Sequence, residues 1–143
     1  MPTTDYLLDA CAVLAFFDDE KGADIVSGLI DKANHGEVNL YMNAANLLEV
    51  YYDRIRVIGE ENAYDIIRKV YEDSPINIIE NLSFDIVREA AYFKSIGKMS
   101  FADTILVATA ICIGATIVTC DHIELGPIEQ QENIPFLWIR PKF

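Results

Sequence analysis

Positive charge is scarce in this chain of 143 residues: eleven Lys and Arg stand against 23 Asp and Glu, for a formal net charge of −12. Most non-specific affinity for nucleic acid comes from cations that neutralise phosphate, so this balance taken alone argues against a nucleic-acid partner. It is compatible with a site where bound metal ions supply the positive charge. Cysteine is sparse as well. Cys11, Cys112 and Cys120 form an odd set with no CxxC pair, which suits a reducing cytoplasm better than a disulfide framework. No apolar run reaches the roughly 18 residues needed to cross a bilayer. The start, "MPTTDY", has neither the basic n-region nor the apolar h-region of a signal peptide. No Gly/Ser-rich or Pro-rich linker, low-complexity tract or internal repeat divides the chain. The expectation is a single cytoplasmic domain over residues 1–143 with no membrane partner.

What is present is an even supply of core-forming residues, 52% of the chain, in a pattern that alternates strand and helix. "YLLD" reads as a short apolar strand, and "GADIVSGLIDKAN" as a helix with Ile25, Leu29 and Ala33 on one face. The strand "VNLYMN" precedes the helix "ANLLEVYYDRIRVI". A further helix, "NAYDIIRKVYED", is halted before Pro75. "INIIE" is a third strand, Ser83 opens the helix "SFDIVREAAYFKSI", and "FADTILVATAICI" is apolar on nearly every side, hence a buried helix. "ATIVTCD" and "PFLWIR" are the last strands. Strands separated by helices imply a mostly parallel sheet covered on both faces, a three-layer α/β/α sandwich.

In such sheets ligands gather beyond the carboxyl ends of the strands, at a topological switch point. Asp9 ends the first strand and Asp121 ends "IVTCD". Glu49 lies one helical turn after "VNLYMN", and Asp103 is in the first turn of the buried helix. Each has a plain explanation: "NLLE" and "SFAD" match capping-box spacing, and Asp9 and Asp121 can cap helices or shape turns. Together they predict four convergent carboxylates that cannot all stay ionised without a counter-charge. Oxygen-rich, histidine-free coordination suits Mg²⁺ or Mn²⁺ rather than Zn²⁺. Two such ions can activate water and stabilise a leaving oxygen, the requirement of phosphodiester hydrolysis.

The order of an Asp ending the first strand, then "NLLEVYY", "SFADTILVATA" and "IVTCD", resembles the PIN-domain nucleases, and within them the toxin half of VapBC-type toxin–antitoxin pairs. The resemblance runs from about Tyr6 to Asp121 and is supported by the C-terminal "PFLWIR" strand. It implies that Asp9, Glu49, Asp103 and Asp121 are the metal-binding and catalytic acids of an Mg²⁺- or Mn²⁺-dependent endoribonuclease acting on RNA. It also implies a homodimer and a cognate antitoxin protein. Thr119 matches a hydroxyl position beside the fourth acid, either orienting a ligand or tying down the strand end. Two features depart from the family: Ala10 and Cys11 follow the first Asp where Ser or Thr is common, and "HIEL" follows Asp121. His122 and Glu124 are read either as an added ligand or, the preferred reading, as exposed turn residues.

Ser100, Arg56 and Lys98 are the candidate ligand- or phosphate-orienting groups. Arg56 shares a helix face with Glu49 and Asp53, so it either steadies an RNA phosphate or forms a surface ion pair with Asp53. Asp18, Asp19 and Glu20 read as a solvated loop. Cys11, Cys120 and His122 are alternative zinc donors, though without CxxC or HxxxH spacing. The competing functions are another Mg²⁺-dependent phosphate enzyme, opposed by the absence of a DxD nucleophile pattern, and a catalytically degenerate PIN domain acting as a protein-interaction module.

Overall fold

The computed structural model describes residues 3–142. Strands and helices alternate along them as β1 (Thr4–Leu8), α1 (Ala10–Phe17), α2 (Ala23–Asn34), β2 (Val38–Asn43), α3 (Ala44–Ile58) and α4 (Glu60–Asp73). After these come β3 (Ile76–Ile79), α5 (Phe84–Ile96), α6 (Phe101–Ile113), β4 (Thr116–Thr119), α7 (His122–Gln131) and β5 (Phe136–Trp138). The five strands form one sheet in the order β3-β2-β1-β4-β5, and every pairing is parallel. Parallel neighbours require crossover helices, and these cover both faces as the alternation predicts.

The pleat sorts consecutive residues to opposite cores. Leu8 and Val118 face a cluster with Val13, Val26, Leu29, Leu47, Val50 and Val70, residues of α1 to α4. Leu7 and Ile117 face the other cluster, with Phe93, Leu106, Val107, Leu125 and Ile128 from α5, α6 and α7. Leu7, Leu8, Ile117 and Val118 are fully buried, each worth about 1.5–3 kcal/mol over an exposed position. A three-layer α/β/α sandwich results.

The chain begins in the middle of the sheet, moves outward through β2 and β3, then returns to the other side of β1 for β4. The switch point therefore lies between β1 and β4, whose register pairs Tyr6 with Thr116 and Leu8 with Val118. The residues just past this ladder are Asp9 and the Thr119–Asp121 segment.

Two helices show no helical period in the sequence, where only a candidate cap at Asp9 and at Asp121 hints at them. "ACAVLAFF" has no polar face to give a helical period, yet it forms α1, because Asp9 caps it through Ala12 N and Ala12, Val13 and Ala15 are buried against the sheet. "HIELGPIEQQ" contains Gly126 and Pro127, ordinary breakers of a helix. It forms α7 because Asp121 caps its start and Leu125 and Ile128 are buried. His122 and Glu124 are thus helical rather than turn residues.

The cysteine reading is also corrected. Cys11 and Cys120 form a disulfide with Cα atoms 6.0 Å apart, joining positions 109 residues distant in sequence, and Cys112 is free and exposed. Spacing rules see only local pairs. This one arises because the first turn of α1 and the end of β4 meet beside the switch point. Among the described residues no helix is long and apolar enough to cross a membrane.

Candidate active site

At the carboxyl edge of the sheet, over the β1/β4 switch point, opens a cavity of about 440 Å³. Asp9, Glu49, Asp103 and Asp121 all line it, joined by Glu20, Glu124, Asn46 and Ser100, and among the described residues no Lys or Arg lines it. Two strand ends and two helix starts thus deliver their acids to one space. From the sequence, Glu20 belonged to a solvated loop and Glu124 to a turn; the structure brings both to the rim. Only tertiary folding could reveal Glu20, since its neighbours Asp18 and Asp19 carry the same local signal.

Asp9 is almost entirely buried. Its Oδ1 accepts from Ala12 N at 2.9 Å, and its Oδ2 accepts from the Thr119 hydroxyl. Burial pushes its carboxyl up to about 7, outweighing the two hydrogen bonds that favour the ionised form, with the charges of Asp103 and Asp121 adding to the rise. Thr119 Oγ1 also accepts from Asp121 N at 3.0 Å. One hydroxyl therefore ties down the strand end and orients the Asp9 carboxyl. Asp121 caps α7, its Oδ1 accepting from Glu124 N at 3.1 Å.

Asp103 sits in the first turn of α6, where its backbone N–H donates to Ser100 Oγ at 3.2 Å. Its carboxyl rises to about 6, first through burial and then through the charges of Glu124, Asp121 and Glu49, against the lowering effect of Ser100. Glu49 Oε1 accepts from Asn46 Nδ2 at 3.1 Å. The capping explanations hold for Asp9, Ser100 and Asp121 without removing them from the cavity. A cap directs a carboxylate or hydroxyl to a helix N-terminus, and these N-termini meet at the sheet edge.

The remaining candidates lie elsewhere. Arg56 is exposed and bonds Asp53 at 3.2 Å, with its guanidinium over the Tyr52 ring, so it stands outside the cavity wall. Lys98 lines a neighbouring groove that shares Glu124 with the acid cavity. The buried cation of this region is Arg54, overlooked in the sequence. It pairs with Asp18 at 2.9 Å and Asp53 at 2.7 Å, fastening the loop after α1 to α3. The zinc alternative is not supported. Both sulfurs are joined in the disulfide, and His122 stacks on Trp138 with its Nε2 against Arg140 O.

The donor set is oxygen throughout, which fits a hard divalent cation such as Mg²⁺ or Mn²⁺. Two observations point the same way. Asp9 and Asp103 are raised by burial and by crowding among carboxylates, and the buried Asn46 Oδ1 has no hydrogen-bond partner. Among the described residues, no three His, Cys, Asp or Glu side chains form a ready-made metal cage. The acids stand around an open space, an arrangement that suits an ion retaining several of its waters.

Residues 6–123 match the sequence model of a family described as the PIN domain. Solved structures add a likeness of fold. A chain of VapBC-1 from nontypeable Haemophilus influenzae superposes with a TM-score of 0.71 at 15% identity, over 95% of this chain and 98% of that one. A chain of a toxin–antitoxin complex from Klebsiella pneumoniae gives 0.64 at 17% identity, over 94% and 98%. VapC20 of Mycobacterium tuberculosis, a sarcin–ricin-loop-cleaving toxin, gives 0.61 at 14% identity, over 85% and 94%. A comparison with curated proteins finds no match.

Proposed function

The chain belongs to the PIN-domain family, and from that premise we propose that it is a divalent-metal-dependent endoribonuclease, the toxin of a toxin–antitoxin pair. The observation that carries this reading is the convergence of Asp9, Glu49, Asp103 and Asp121 on one cavity at the β1/β4 switch point. These four would hold Mg²⁺ or Mn²⁺, with Glu20 and Glu124 at the rim. A divalent ion held there would supply Lewis acidity for phosphodiester hydrolysis.

The chain's own residues prepare that chemistry. Thr119 and Ala12 N fix both oxygens of Asp9, and Asn46 fixes Glu49. Six carboxylates around an open space repel an RNA phosphate until their charge is compensated. The cavity is therefore selective by electrostatics: phosphate enters only together with neutralising cations. The same logic makes the −12 surface compatible with RNA as substrate, recognised through shape and loop contacts rather than broad cationic attraction. A homodimer and a cognate antitoxin complete the reading, and the toxin–antitoxin complex from Klebsiella pneumoniae among the structural neighbours supports the latter.

The test is cleavage of a panel of structured RNAs by wild type, Asp9→Asn and Asp103→Asn, with Mg²⁺ or Mn²⁺ and with chelator. Wild-type cleavage abolished by chelator and by each substitution is the expected result. Cleavage retained by both folded variants would overturn the assignment.

A further inference from the structure

Asn46 is fully buried in the first turn of α3, on the wall of the acid cavity. Its Nδ2 donates to Glu49 Oε1 at 3.1 Å, and its Oδ1 has no partner. The nitrogen faces Glu49 Oε1 as donor and the oxygen points elsewhere. A buried acceptor left unsatisfied is unfavourable, and in folded proteins such atoms mark a water, an ion or a functional role. Asn43 Nδ2 is the other unpartnered buried side-chain atom among the described residues, but Asn43 Oδ1 accepts from the Thr109 hydroxyl and Asn43 is not part of the cavity wall.

We propose that Asn46 is a positioning residue of the cation site, its Nδ2 holding the Glu49 carboxylate and its Oδ1 presenting a neutral acceptor to a hydrated divalent cation. The proposal rests on the divalent-cation reading of the cavity. A neutral oxygen suits this place because Asp9, Asp103, Asp121, Glu49 and Glu124 already repel one another. A further carboxylate would increase that repulsion, whereas a carboxamide adds an acceptor without charge. Waters retained by Mg²⁺ or Mn²⁺ are strong donors, and an acceptor at the cavity wall orients them.

Mn²⁺ titration by calorimetry on wild type, Asn46→Leu and Asn46→Ala, with the melting temperature of each, tests this. Leucine removes both polar ends at similar volume. Its affinity for Mn²⁺ should fall about tenfold or more, while its melting temperature stays level or rises because the unsatisfied acceptor is gone. A purely structural asparagine gives the opposite result, a lower melting temperature with Mn²⁺ affinity within about twofold of wild type, and that would overturn the proposal. Asn46→Ala carries the same expectation for affinity should the leucine variant not fold. Wild type that binds no Mn²⁺ overturns this inference together with the metal reading. Wild-type binding matched by both variants overturns this inference alone.

Discussion

Asp9 and Asp121 follow strands and cap the next helix, whereas Glu49 and Asp103 lie within helices, and different contacts hold the two pairs. The strand-end pair is locked on several sides. Asp9 N donates to Val118 O at 3.2 Å, the Thr119 hydroxyl lies between the two acids, and the Cys11–Cys120 disulfide links the segments that carry them. The helix-start pair is held more lightly: Glu49 by Asn46 Nδ2, and Asp103 through the Ser100 cap on its backbone. A parallel sheet fixes the residues just past its strands through register, while Glu49 and Asp103 are each held by one neighbouring polar side chain of their own helix or its cap. Asp9 and Asp121 are therefore the rigid half of the site, and Glu49 and Asp103 the adaptable half.

The difference between the halves should be largest in catalysis. Asp9→Asn should reduce metal-dependent RNA cleavage by about 100-fold or more, and Glu49→Gln by roughly tenfold, because an adaptable ligand is more easily replaced by water. Equal losses in initial-rate assays would erase the distinction. Next in size is the cross-link. A loop of about 100 residues closed by a disulfide stabilises a fold by up to about 4.7 kcal/mol in the chain-entropy model. Urea unfolding with and without a dithiol reductant should therefore show a loss of about 2–4 kcal/mol, reproduced without reductant by the Cys11→Ser, Cys120→Ser double variant.

The raised carboxyls predict how stability depends on pH in the metal-free protein. Asp9 titrates near 7 in the fold against 3.8 ordinarily, so between these values the native state binds the extra proton. Stability is fully present below about pH 4 for this group and is lost as pH rises through 7. One pKa unit corresponds to about 1.4 kcal/mol, so metal-free protein should lose roughly 2–4 kcal/mol between pH 4 and pH 8 from Asp9. Asp103, near 6, adds in the same direction. Thermal melts in chelator across that range check the sign. A flat profile would place Asp9 outside the buried, crowded setting described. The smallest effect is that of Thr119→Val, which removes the donor to Asp9 and the acceptor for Asp121 N. About 1 kcal/mol of stability is expected to go, with the Asp9 carboxyl titrating higher still by NMR.

The sequence carried the layers, all five strands and the cavity's four central acids, because each has a local signature: apolar runs, breakers and acids at element boundaries. It hid α1, whose helical period vanishes in a segment apolar on every side, and α7, whose Gly126 and Pro127 imitate a loop. The disulfide and Glu20 were illegible for a different reason. Both depend on where separate segments meet, which spacing cannot express. Arg54 was passed over for Arg56, since only packing tells which of two nearby arginines on α3 turns inward.

The proposed cation site is tested most directly by Mn²⁺ titration in a calorimeter, on wild type and on the Asp9→Asn, Asp103→Asn double variant, at a pH above 7. Binding by wild type that the folded double variant lacks is the predicted result. Equal binding by the two proteins would contradict a cation site built on these acids.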